Sequence, residues 1–197
     1  MLEVELKSVV DDLPRRRAAI ESAGAQLEWE GHLADSRWDT PEQSLAARDH
    51  VLRVRVYRKG DDVRAELDWK GPTRRDDGYK VREELDVHIG EPDVLAAMLE
   101  RLGYIVTIVI DREIAQYDLG GTMIRFERYP RMDDLVEVEG APLLIERAIA
   151  ALGLPRDGFT SERLPDFVRR FEARTGTTAA LSNAELRGDV HYDAANA

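Results

Sequence analysis

The chain has no cysteine. Disulfides, thiolate metal centres and cysteine nucleophiles are therefore excluded. Histidine is scarce too: His32, His50, His88 and His191 make up the set, too few and too scattered for a multi-histidine zinc site. Any metal should be held by oxygen ligands, which points to Mg²⁺ or Mn²⁺. No apolar run approaches the length of a membrane span. Strand-like residues begin at once, with no leader pattern before them, so a cytoplasmic protein is expected. Positive charge is in deficit, and the net charge of −11 argues against a general affinity for nucleic acid or anionic membranes. That deficit does not exclude an enclosed basic site, since Arg53, Arg55, Lys70, Lys80 and Arg82 all fall in the middle of the chain.

What the chain has in excess is charge in alternation. Side chains on a strand have a period of two, so Glu3, Glu5 and Lys7 share one face and Val4 and Leu6 the other. Two such carboxylates stand about 7 Å apart, close enough for both to reach a hard divalent cation. The pattern recurs in Arg53 and Arg55, in Glu66, Asp68 and Lys70, in Lys80, Arg82, Glu84 and Asp86, in Arg125 and Glu127, and in Glu137 and Glu139. An antiparallel sheet often carries one solvated face. These polar faces, however, contain very little Ser or Thr, and like charges stand at i, i+2 in Glu3/Glu5, Arg53/Arg55 and Glu137/Glu139. Neighbouring like charges cost energy unless a counter-ion or ligand separates them. A charged cavity that binds something is favoured over an indifferent surface.

With 43% apolar and 34% charged residues among 197, the chain can form one domain with a sizeable core. We place that domain at residues 1–175 and a tail at 176–197. A helix follows the first strand, capped by Asp11 or Asp12, with Pro14 in its first turn and Gly24 at its end. Strands are expected near 27–38, 50–59, 63–70, 79–89, 104–118, 121–129 and 134–140, with 71–78 as a mobile loop. Further helices are expected from Pro92 to Gly103, from Pro142 to Gly153 and over 161–174. Runs of strands broken by helices indicate an α+β fold with a mainly antiparallel sheet. The residues alone leave open whether the charged face turns outward or lines a closed barrel, though its charge density favours a tunnel. Blander readings suit other conspicuous residues: Trp29 and Trp69 packed under helices, His88 at a rim, Arg15–Arg17 on a solvated helix face and Asp133–Asp134 in a turn.

In order along residues 1–173, the motifs resemble those of the CYTH family, the triphosphate tunnel metalloenzymes. Glu3-Val4-Glu5-Leu6-Lys7 matches its ExExK signature, Leu52-Arg53-Val54-Arg55 its LRxR strand, Lys70-Gly71-Pro72 a KGP turn and Val136-Glu137-Val138-Glu139 its closing VExE. Asp35 to Pro41 resembles the second-strand aspartate motif, and Arg82 to Asp86 resembles RxExE. The resemblance implies an eight-stranded antiparallel β-barrel with a charged interior, flanked by helices. It implies metal binding by Glu3, Glu5, Glu127, Glu137 and Glu139. It implies phosphate binding by Lys7, Arg53, Arg55, Lys70, Arg82, Arg112 and Arg125, with Glu84 and Asp86 in support. The chain departs from the family pattern at Arg37, where hydrolytic members commonly carry a tyrosine. Arg112 and Ile114 occupy the positions of a KxR motif, Arg131 to Asp134 replace a glycine-containing turn, and Glu127 stands where aspartate is more usual.

The resulting expectation is a Mg²⁺- or Mn²⁺-dependent triphosphatase or phosphohydrolase. Its substrate would be a small triphosphate such as ATP, tripolyphosphate or thiamine triphosphate. A class IV adenylate cyclase and a non-catalytic triphosphate or polyphosphate binding module are the alternatives. No catalytic base is assigned, and a homodimer is an open option.

Overall fold

Strands form where the alternation predicts them. The computed structural model describes residues 2–196; Met1 and Ala197, the ends of the expected domain and tail, lie outside the described residues. The chain runs β1 (Leu2–Val9), α1 (Leu13–Ser22), β2 (Gln26–Asp39), β3 (Val51–Lys59), β4 (Asp62–Lys70), β5 (Arg74–Asp76), β6 (Tyr79–Ile89) and α2 (Pro92–Arg101). It continues through β7 (Ile105–Asp118), β8 (Met123–Arg128), β9 (Leu135–Glu139), α3 (Pro142–Leu152), α4 (Leu164–Thr175) and α5 (Asn183–Arg187). Asp12 caps α1 by accepting from the Arg15 backbone N–H, and Pro14 lies in its first turn.

The strands pair antiparallel in the order β1-β9-β8-β7-β2-β3-β4-β6, and β6 pairs back onto β1. The result is a closed eight-stranded barrel, with β5 added beside β6. Closure leaves two faces, and the alternation sorts the side chains between them. Charged residues turn inward, while the alternate apolar residues form the outer wall that the helices cover. Leu6, Ile124, Phe126, Val136 and Val138 pack with Ile20 of α1 and with Ile145, Ala148, Ile149 and Leu152 of α3. On the opposite side, Leu95 and Leu99 of α2 cover Leu52, Val54, Val56 and Leu67.

The inner wall is not charged throughout. Ile108 and Ile110 share strand parity with Arg112, and Leu135 shares it with Glu137. All three pack against Leu164, Phe167 and Val168 of α4. This helix therefore lies over one end of the barrel instead of its outer wall. Leu33, Tyr57 and Ile114, again inward by parity, pack with Trp29 further along the same wall. Charged residues Asp35, Arg55 and Arg112 sit between these two apolar layers.

Several local expectations need correction. Residues 71–78 contain the paired strand β5. Arg16 is buried; its guanidinium donates to the carbonyls of Leu152 and Gly153 at 3.2 and 2.9 Å, closing the C-terminus of α3. Arg17 donates to the Tyr117 hydroxyl and to Glu30. The arginine run is thus partly structural, because a charged donor can satisfy helix-end carbonyls. Trp29 meets Tyr57 edge-on, and Trp69 donates to His50 Nδ1. After α4 the chain turns back to the barrel, where Ala180 pairs with Arg131 and Ala180, Leu181 and Ser182 are buried. Among the described residues no helix is long and apolar enough to cross a membrane.

A charged tunnel as the candidate active site

Strand register decides which charges meet. Glu5 stands opposite Glu139 and Lys7 opposite Glu137 on the β1–β9 side, while Glu3 stands opposite Arg82 and Glu5 opposite Lys80 on the β6 side. Arg53 faces both Arg37 of β2 and Asp68 of β4. Cross-strand partners share a face, so these groups converge in the lumen.

One acidic cluster stands out. Oxygens of Glu3, Glu137 and Glu139 all lie within 4.8 Å of one another, a spacing at which one cation can bind all three. Burial, reinforced by Glu3 and Glu137, pushes the Glu139 carboxyl up to about 8. Burial also opposes ionisation of Glu3, but Lys70 overrides it and holds that carboxyl below its ordinary range. Lys70 spans Glu3, at 3.1 Å, and Glu84. Burial and then the hydrogen bond with Glu3 push Glu84 up to about 7.

Of the five carboxylates expected to bind metal, Glu3, Glu137 and Glu139 gather in this way. Glu5 is paired to Lys80. Glu127 lies among cations, 3.0 Å from Arg112 Nε and 3.3 Å from Arg125 Nε, and accepts from the Tyr129 hydroxyl at 2.7 Å. Glu137 holds Lys7 at 2.5 Å and also takes Arg125. Asp86 is exposed at the rim, opposite Asp68 in register.

The basic residues form a second group around Asp35, which is 1% exposed. Asp35 accepts from Arg55 Nε at 2.9 Å and Arg112 Nη2 at 3.0 Å, with Arg53 Nη1 at 3.6 Å. Arg53 is also tied to Asp68 at 2.6 Å. Despite its burial, Asp35 is held well below the usual carboxylate range by Arg112, Arg55 and Arg53. Arg82 instead donates to main-chain carbonyls, Gly71 O at 2.6 Å and Asp49 O at 2.8 Å. Among the described residues, the buried Arg37 Nε and Arg112 Nη1 have no hydrogen-bond acceptor, and Arg125 Nε has only its ion-pair contact with Glu127.

The lumen contains several residues beyond the expected set: Asp35 as the hub of three arginines, Asp68 and Lys80 as ion-pair partners, and Tyr129 as a donor to Glu127. Asp68 and Lys80 lie on the charged alternation, and Asp35 lies in the second-strand aspartate motif. Tyr129 falls just past β8, two residues after Glu127, where the same parity could have marked it.

A closed antiparallel barrel whose lumen pairs a carboxylate cluster with a layer of arginines defines a class of charged tunnel proteins. The chain belongs to the CYTH family, whose profile matches residues 1–139. A search of curated proteins finds no match. Solved structures share the fold. A Vibrio parahaemolyticus protein described as a candidate adenylate cyclase superposes with a TM-score of 0.72 at 19% identity, covering 86% of this chain and 98% of that one. The PH1819 protein of Pyrococcus horikoshii gives 0.70 at 22% identity, covering 82% and 94%. A Hippeastrum candidate adenylyl cyclase with a dominant triphosphatase activity gives 0.61 at 15% identity, covering 92% and 98%.

Proposed function

We propose that this protein is a divalent-metal-dependent phosphohydrolase acting on a small triphosphate held in the tunnel. The observation that carries the reading is the convergence in one barrel of the Glu3–Glu137–Glu139 cluster and buried guanidinium nitrogens without acceptors. Three carboxylate oxygens are a fitting donor set for Mg²⁺ or Mn²⁺. Glu3, Glu137 and Glu139 would hold the ion, with Glu5 and Glu127 lending negative charge close by. A divalent ion there supplies positive charge against phosphate oxygens and acidifies water.

The remaining work falls to the chain's own cations. Lys7, Arg53, Arg55, Lys70, Arg82, Arg112 and Arg125 bind and orient the phosphates, and charge neutralisation with in-line positioning is most of what phosphoryl transfer requires. Glu84 fixes Lys70, while Asp86 adds negative charge at the rim. Both apolar layers limit water around the charged groups, which strengthens each interaction.

The test is a product assay with Mg²⁺ or Mn²⁺ on tripolyphosphate, thiamine triphosphate and ATP. We expect orthophosphate release that EDTA abolishes and that Glu137→Gln lowers by about 100-fold or more. Cyclic AMP with pyrophosphate from ATP would replace the phosphohydrolase with a cyclase. Metal-dependent triphosphate binding without any product would make the tunnel a binding module.

A further inference from the structure

Arg37 occupies an unusual position in the barrel's charge pattern. The other lumen arginines on β3, β7 and β8 each contact a carboxylate. Arg37 makes no ion pair among the described residues. Its Nη1 donates to the main-chain carbonyl of Asn196 at 3.1 Å, and its Nε has no acceptor. Across the β2–β3 register it faces Arg53, so two like charges stand side by side. Such a pair is unfavourable unless an anion lies between the two groups. Burial, then Arg53, push the Arg37 guanidinium down to about 9, which leaves it cationic at neutral pH.

Its position in the barrel adds direction. β2 lies four strands from β1 whichever way the barrel is traversed. Arg37 therefore stands across the lumen from the strand that carries Glu3. Its cavity is shared with Lys7, Arg53, Arg82 and Arg112. A linear anion with one end at the carboxylate cluster would cross the arginine layer and reach Arg37 with its other end.

We propose that Arg37 is a specificity-determining residue that clamps the phosphate farthest from the Glu3–Glu137–Glu139 cluster, so that the tunnel selects chains of three or more phosphates over pyrophosphate. This rests on the reading that the tunnel binds a polyphosphate group. A guanidinium can give two parallel hydrogen bonds to one phosphate, and Arg37 has donors to spare. A pyrophosphate seated at the carboxylate cluster has one phosphate fewer with which to reach it.

The experiment is calorimetric titration of wild type, Arg37→Gln and Arg37→Lys with pyrophosphate and with tripolyphosphate. It is run in EDTA, and again with Mg²⁺ at a temperature that suppresses turnover. Loss of a charge-assisted contact predicts that Arg37→Gln weakens tripolyphosphate binding by about 10- to 100-fold. Pyrophosphate binding should change by less than about threefold, so the preference for the longer chain collapses. Arg37→Lys, which keeps charge but loses the fork, should retain part of the preference, and it carries the comparison if the glutamine variant fails to fold. Equal weakening of both ligands, or of neither, would overturn the Arg37 assignment while leaving the tunnel reading intact. If wild type binds neither ligand under either condition, the tunnel reading itself falls.

Discussion

Replacing Asp35 by asparagine keeps the shape of the side chain and removes the charge that three arginines share. Breaking a buried pair by removing one partner costs roughly 3–5 kcal/mol, because the surviving charge is left uncompensated. The contacts point to the lower end. Arg53 keeps Asp68 at 2.6 Å, and Arg112 keeps Glu127 at 3.0 Å. Arg55 is left with Asp68 at 3.7 Å and the Tyr57 hydroxyl. A loss of about 3 kcal/mol at neutral pH is therefore expected. For a chain of this size that corresponds to a fall in Tm of roughly 6–12 °C. The pH dependence has a definite sign. Because the folded carboxyl titrates well below its ordinary value, its contribution is complete above the unfolded value of about 3.9 and fades as pH falls toward the folded one. The gap between wild type and Asp35→Asn should be full at pH 7 and should narrow only in strong acid. Urea unfolding followed by circular dichroism at several pH values measures it. A variant within about 0.5 kcal/mol of wild type at pH 7 would refute Asp35 as the hub, since surface substitutions produce changes of that size.

Two further substitutions test the scaffold. A methyl group at Gly31 would come 2.5 Å from the Arg58 carbonyl and 2.9 Å from the Trp29 ring, so Gly31→Ala should cost about 1–3 kcal/mol by overpacking, read as a lower urea midpoint at unchanged slope. Arg16→Met keeps the aliphatic stem but loses both hydrogen bonds from Nη1 to the carbonyls of Leu152 and Gly153, and about 2 kcal/mol should go with them; hydrogen exchange at the end of α3 should rise, and unchanged protection there would contradict the capping role.

The charged faces were legible in the sequence because strand alternation assigns Glu3, Glu5 and Lys7 to one side without any tertiary information. The same rule grouped Arg53 with Arg55 and Glu137 with Glu139. It could not say who pairs with whom. That depends on register between strands far apart in the chain, as when Lys80 meets Glu5 and Asp35 meets Arg112. Alternation puts Ile108, Ile110 and Leu135 on the charged face with Arg112 and Glu137. What it could not give is the reason apolar residues stand there, which is the apolar cover that α4 supplies at that end. Arg16 was hidden for a related reason. Its acceptors, Leu152 O and Gly153 O, are main-chain atoms more than a hundred residues away, and no side-chain pattern announces them.

The ion pairs of the tunnel would also constrain how a charged ligand binds in it. Most lumen cations already have a carboxylate partner, so a phosphate gains only the difference between its own contacts and those it displaces. Lys70 shows the consequence. It is shared between Glu3 and Glu84, and a cation at the Glu3 cluster would compete with it for the same carboxylate. Metal binding would then turn Lys70 toward an incoming phosphate, and a phosphate on Lys70 would leave Glu3 freer for the metal. By linkage each ligand must raise the affinity for the other by the same factor. Arg37 stands outside this exchange, because it has no carboxylate to give up. An anion reaching it would gain the contact without breaking an ion pair, which on the proposed reading would give this position more influence over the length of a bound phosphate chain than a paired arginine would have.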